Sequence, residues 1–126
     1  MKFAPADTGS GFVIRSYAPG RILVNGEALH DNLVLSPDRL QRHWRPQGFA
    51  DLRGEDFEQL LDWEPEILLL GTGARQRFPA PQLYRSLIQH GIGVEVMDTG
   101  AACRTYNILM SEQRRVVAAL LMIEDD

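Results

Sequence analysis

A single cysteine, Cys103, is all the sequence holds, so it cannot form an internal disulfide, and a reducing compartment is the natural reading. Basic charge is not in excess either. Thirteen Lys and Arg stand against 17 Asp and Glu, a formal net charge of −4, whereas nucleic-acid binders usually carry a basic face; no nucleic-acid partner is expected. The one local concentration, Arg39, Arg42, His43, Arg45 and Arg53, is followed at once by acids and reads as solvated surface. Long apolar runs are missing. The longest, Val116–Ile123, falls far short of a membrane span. Met1–Asp7 has no apolar stretch of the signal-peptide kind and is too acidic and short for a typical transit peptide. The expectation is a soluble, cytoplasmic protein.

Metal-ligand spacing is also lacking: His30, His43, His90 and Cys103 are scattered, and no metal or other cofactor is expected. Asp56, Glu58, Asp62, Glu64 and Glu66 read as a solvated helix face, and Glu124–Asp126 as a solubilising tail. With no internal repeat or linker, the 126 residues suit one domain, 1–126, around one core. Residues 1–10 are small and polar and are expected to carry little order.

What is present is a β-rich first third and an alternating α/β remainder. Strands are expected over Phe12–Tyr17, Arg21–Asn25, Glu27–His30 and Leu33–Leu35, with Pro19-Gly20 and Asn25-Gly26 as turns, together a β-meander. Ser36-Pro37-Asp38 has the form of a helix start, soon stopped by Pro46 and Gly48. A helix over Glu55–Leu61 precedes a buried strand, Ile67–Leu70. Pro81 opens another helix with an apolar stripe of Leu83, Tyr84, Leu87 and Ile88, and Gly93–Met97 is a second interior strand, giving a right-handed βαβ unit. Residues 100–111 are helical, with Ala102, Tyr106, Leu109 and Met110 on one face. Residues 115–123 suit helix or strand; strand is preferred, because the run has no polar face.

Two glycine-punctuated segments each follow a strand of the βαβ unit: Gly71–Pro79 and Met97–Asn107. Both would lie at the carboxyl edge of the sheet, where open α/β folds place ligands. Gly71-Thr72-Gly73 lacks the third glycine of a dinucleotide fingerprint and the lysine of a P-loop. It is either a tight turn at positive φ or a loop whose amides contact an anion. Arg104 sits in the first turns of a helix, where the dipole disfavours a cation, and points away from the core face. Asp98, Glu95 or a bound anion would neutralise it, and Arg75 and Arg77 would join it at the same edge. Thr72, Gly73, Arg75, Asp98, Gly100 and Arg104 are therefore the candidate ligand residues. Cys103, near the same helix start, is either a reactive thiol or a buried inert one, and no histidine can be assigned as its base.

Gly71-Thr72-Gly73, Arg75–Phe78, Gly91–Thr99, Ala101–Asn107, with Ser36-Pro37, Trp44 and the β-rich start, resemble a domain-of-unknown-function family (DUF498/DUF598). Eukaryotic relatives of that family act as assembly factors for mitochondrial respiratory complex I. The resemblance implies a three-layer α/β fold, its mixed central sheet ending in an antiparallel strand, and it brings no catalytic residues. Three functions follow. The first is a non-enzymatic binding or assembly-type protein holding a small anion or a protein partner between Thr72–Phe78 and Asp98–Asn107. The second is a small enzyme with Cys103 as nucleophile and the amides near Gly100 as charge stabilisers. The third leaves the crevice structural and puts the interaction surface on the meander, near Arg15 and Arg21. No pattern in the sequence fixes an oligomeric state.

Overall fold

Val116–Leu121 is buried at every position, as a strand in the middle of a sheet covered on both faces must be. The computed structural model, which describes residues 11–124, makes this run β8 at the centre of a five-stranded sheet. The expectations for residues 1–10, and for Asp125 and Asp126 of the acidic tail, lie outside the described residues. The sheet order is β5-β4-β8-β6-β7, from β4 (Leu33–Ser36), β5 (Arg39–Gln41), β6 (Ile67–Thr72), β7 (Gly93–Met97) and β8. β6 pairs in parallel with both β7 and β8. β4 is antiparallel to both β8 and β5, so the sheet is mixed.

The pleat divides the core in two. Leu69, Val116, Ala118 and Leu120 point to one face of the sheet; Leu68, Leu70, Val117, Ala119 and Leu121 point to the other. The first face is covered by α3 (Thr99–Ser111) and by a separate sheet of β1 (Ile14–Ala18), β2 (Arg21–Val24) and β3 (Glu27–Leu29). The second is covered by α1 (Gly54–Glu58), the 3-10 turn Gln59–Trp63, α2 (Arg85–Gln89) and Trp44. These are three layers, with α2 and its leading 3-10 turn Pro81–Tyr84 crossing between β6 and β7 as the βαβ unit requires.

Five sequence readings need correction. Gly93–Met97 is no interior strand: β7 lies at the edge of the sheet, with Gly93 and Glu95 exposed. The meander ends at β3, because Leu33–Ser36 leaves it to pair with β8. Ser36-Pro37-Asp38 starts no helix: it is the tight turn of a β4–β5 hairpin, Ser36 opposite Arg39, with Ser36 Oγ donating to Asp38 Oδ1 at 2.9 Å. Proline favours the second position of such a turn as much as the first of a helix, and pairing with β8 decides between them. Ile88 is exposed, because α2 is too short for its stripe to wrap onto the sheet. Asp56 belongs to no solvated face; it is buried against Arg45.

Candidate functional site

Gly71-Thr72-Gly73 closes β6, and its polar groups are spent inside the protein. Gly73 lies at φ +94°, a region L side chains rarely adopt, so glycine is required there. A Cβ on Gly71 would lie 2.9 Å from Leu120 Cδ2 and Thr99 Oγ1 and 3.0 Å from Thr99 Cα, so this glycine lets α3 approach the sheet. The Gly73 N–H donates to Thr99 Oγ1 at 2.8 Å, and that hydroxyl donates to the Leu121 carbonyl at 2.6 Å. Thr72 Oγ1 donates to the Arg75 carbonyl at 2.6 Å and accepts the Arg77 N–H at 3.1 Å. The glycine turn is thus wired to α3, to β8 and to its own continuation. The Gly73 amide is already engaged and is not offered to an anion.

The start of α3 is likewise satisfied from within. Asp98 caps it, its carboxylate accepting the Ala101 N–H at 2.8 Å. Tyr17 of β1 lies across the helix start: a Cβ on Gly100 would come within 2.8 Å of its ring. The Tyr17 hydroxyl accepts a hydrogen bond from Arg104 Nη1. The expected Arg104–Asp98 ion pair is therefore not formed; Asp98 serves the backbone, and Arg104 leans on an aromatic side chain remote in sequence. Arg104 and Cys103 line a hollow of about 140 Å³ with Arg15, Ser16, Tyr17 and Asn107. Thr72, Gly73 and Arg75 line a different one. The structure thus places Thr72, Gly73 and Arg75 at one hollow and Arg104 at another, while Asp98 and Gly100 line neither of the two.

The cleft at the carboxyl ends of β6 and β8 has a volume of about 170 Å³. One wall is the loop after β6, with Thr72, Gly73, Ala74, Arg75 and Arg77; the other is Gln47, Gly48 and Phe49. Asn32 holds the floor together: its Oδ1 accepts the Met122 N–H at 2.7 Å, its Nδ2 donates to the Pro46 carbonyl at 2.7 Å, and its carbonyl accepts the Trp44 N–H at 2.7 Å. The Arg77 guanidinium lies over the Phe49 ring, 4.4 Å from its centroid, and joins the walls. Gln76 Nε2 donates to the Val96 carbonyl at 2.9 Å, tying the loop to the edge strand β7. Among the described residues neither Arg75 nor Arg77 forms an ion pair, whereas Arg42, Arg45, Arg53 and Arg114 each have a carboxylate. Sequence reasoning reached Arg75, Arg77 and Phe78 through their segment. It missed Asn32, Gln47 and Phe49, which come from a stretch with no clear period and reach the cleft only through tertiary folding.

Cys103 is buried, and burial pushes its thiol up to about 12; nearby Arg104 pulls it down only in part, and Asp98 pushes it further up. A thiol so held is protonated at neutral pH and is a poor nucleophile. Alkylation of the native protein at about pH 8 should run on the order of a thousandfold slower than that of the unfolded chain, since so little thiolate is present. Labelling at comparable rates in the two states would show instead a reactive, accessible thiolate. No group of three or more His, Cys, Asp or Glu among the described residues is placed to hold a metal ion, and no helix there is long and apolar enough to cross a membrane.

The sequence pattern of a family described as "protein of unknown function (DUF498/DUF598)" matches residues 14–121. Among curated proteins, the chain is 35% identical over 117 residues to the Danio rerio NADH dehydrogenase [ubiquinone] 1 alpha subcomplex assembly factor 3, covering 91% of this chain and 67% of that protein. It is 36% identical over 110 residues to the Bos taurus protein of the same name, covering 86% of this chain and 59% of that one. The chain thus spans about three fifths to two thirds of these relatives. Among solved structures, a crystal structure of a Bordetella parapertussis protein superposes with a TM-score of 0.85 at 41% identity, covering 94% of this chain and 99% of that one.

Proposed function

The chain belongs to the DUF498/DUF598 family of proteins of unknown function, and on that footing we propose that it is a non-enzymatic binding protein that works as an assembly factor does, holding a partner protein through the loop after β6. The observation that carries this is the run Ala74–Phe78, five consecutive exposed residues that include Arg75, Arg77 and Phe78, the last 68% exposed. Arginines and an aromatic on a braced support are the composition of a binding hot spot. The support is braced because Thr72, Gly73 and Gln76 are each tied to other strands or helices. Little conformational freedom is therefore lost on docking. The names of the relatives point to subunits of an NADH dehydrogenase as the partner class. The proposal keeps the chain in the cytoplasm, where a single buried thiol needs no disulfide partner.

The alternative, catalysis by Cys103, has against it the burial of the thiol and the covering of the helix start by Tyr17. The test is capture. Tagged protein recovered from its own cells should bring down NADH dehydrogenase subunits, and Phe78→Ala should reduce that recovery by about tenfold, the usual loss at a hot spot. Its melting temperature should stay within about 2 °C, because an exposed side chain is removed. Undiminished capture with Phe78→Ala, or none with the unaltered chain, would overturn the reading.

A further inference from the structure

We propose that the cleft beneath this loop recognises an acidic peptide segment of the partner, one carboxylate side chain entering between Arg75 and Arg77. The inference rests on the loop being the docking surface and adds the chemistry of what docks. A chain with a net charge of −4 places at one sheet edge two arginines that no carboxylate among the described residues neutralises. Glu124 lines the same cleft and pairs with neither of them. The charged side chains of the lining, two arginines and one glutamate, leave the cleft net positive, and neither arginine is held by the glutamate, so both remain open to an outside carboxylate. Stacking on Phe49 fixes the Arg77 guanidinium in a plane and leaves its edge donors available for a carboxylate. Thr72 Oγ1 bonds the backbone of both Arg75 and Arg77, so the two cations spring from one anchored turn. At about 170 Å³ the cleft admits a side chain or two and no folded element. Phe78, outside the cleft and 68% exposed, is free to pack on an apolar neighbour of that carboxylate.

The other arginine-lined hollow, with Arg15 and Arg104, supplies the control. There Arg104 is engaged by Tyr17, and no backbone brace joins the two arginines. The experiment is a titration of the full chain with a glutamate decapeptide, read by NMR at the arginine Nε–Hε groups. Saturable shifts are expected at Arg75 and Arg77, with affinity falling about tenfold between low and moderate salt. Arg75→Ala/Arg77→Ala should weaken binding by about tenfold or more, and Arg15→Ala/Arg104→Ala by less than about twofold. Equal weakening by both pairs would reduce the effect to general attraction and overturn the proposal. Inorganic phosphate binding the same two side chains as tightly as the decapeptide would overturn it too, in favour of a small anion. Partner capture separates this from the reading beneath it. If Phe78→Ala abolishes capture and Arg75→Ala/Arg77→Ala does not, the docking surface stands and the acidic segment falls. If neither variant affects capture, the docking surface itself has failed.

Discussion

Replacing Asp56 with alanine should destabilise the protein by about 2–4 kcal/mol, lowering its melting temperature by roughly 10 °C. Asp56 is 1% exposed, and both its oxygens are used: Oδ1 accepts Arg45 Nε at 2.7 Å, while Oδ2 accepts Arg45 Nη2 at 2.7 Å and the Arg53 N–H at 2.8 Å. The alanine variant loses a bidentate fork and leaves the N–H that opens α1 without its acceptor. The cost falls below that of a fully buried pair because Arg45 keeps 38% of its side chain exposed and can be partly rehydrated. Asp56→Asn keeps a carbonyl acceptor and should cost less. Arg45→Lys keeps the charge without the fork and should cost nearly as much as the loss of the arginine. Thermal unfolding of these variants, with Arg45→Ala/Asp56→Ala closing a double-mutant cycle, measures the coupling directly. A cycle that closes additively would mean that the pair contributes nothing beyond its separate parts.

The same cluster sets a pH dependence. The Gln47 N–H bond to Asp51, ahead of the nearby Arg45 and Arg53 charges, holds that carboxyl below its ordinary range. A carboxyl whose folded pKa is lowered stabilises the fold fully above its unfolded pKa and loses that contribution as pH falls through the folded one. Arg45 is pushed the other way, chiefly by its bond to Asp56, and stays charged throughout. The acid limb of the stability profile should therefore shift on Asp51→Asn and on Arg45→Ala, whereas Gln47→Ala should leave it in place, because the donor is the backbone N–H. This anchors the segment 45–53 that supplies Phe49 to the cleft.

The legible parts of the chain were those in which one layer dictates the pattern. β6 and β8 announce themselves as short apolar runs because both faces of the sheet are covered there, whereas β7 is an edge strand with Gly93 and Glu95 exposed; α3 shows because its apolar residues recur at helical spacing. The stretch from Ser36 to Asp51 obeys no period, since it is held by single contacts: Asn32 to Pro46, Arg45 to Asp56, Arg77 to Phe49. Asp56 sits among five other acids between Glu55 and Glu66, with nothing local to mark it as the buried one. Arg104 looked like half of a ligand site because a cation at a helix start asks for an anion. The answer, Tyr17, arrives from a separate sheet 87 positions earlier in the chain. The carboxyl edge of the sheet is legible as a place in the sequence, but the side chains facing one another there depend on loops whose paths no short-range rule sets.

Thr99→Val should be the most damaging near-isosteric change at that edge, costing about 2–4 kcal/mol, whereas Thr99→Ser should cost less than about 1 kcal/mol. Thr99 is wholly buried, and its hydroxyl is the one group that both accepts from the Gly73 N–H and donates to the Leu121 carbonyl. Valine keeps the shape and leaves those two backbone groups unpaired where water cannot reach, each a cost of about 1–3 kcal/mol. There is no slack to absorb the change, because Gly71 already meets Thr99 closely enough that even an added Cβ would not fit. The damage should be local as well as global. In Thr99→Val the Gly73 amide should exchange with solvent faster than the amides of β6, since its hydroxyl acceptor is gone. The loop Ala74–Phe78 springs from that residue, so Thr99→Val should also weaken partner capture below the melting transition while Thr99→Ser does not. Equal Gly73 exchange rates in the two variants would show that the threonine wiring does not hold the turn. The glycines alone would then have to fix the loop on which docking depends.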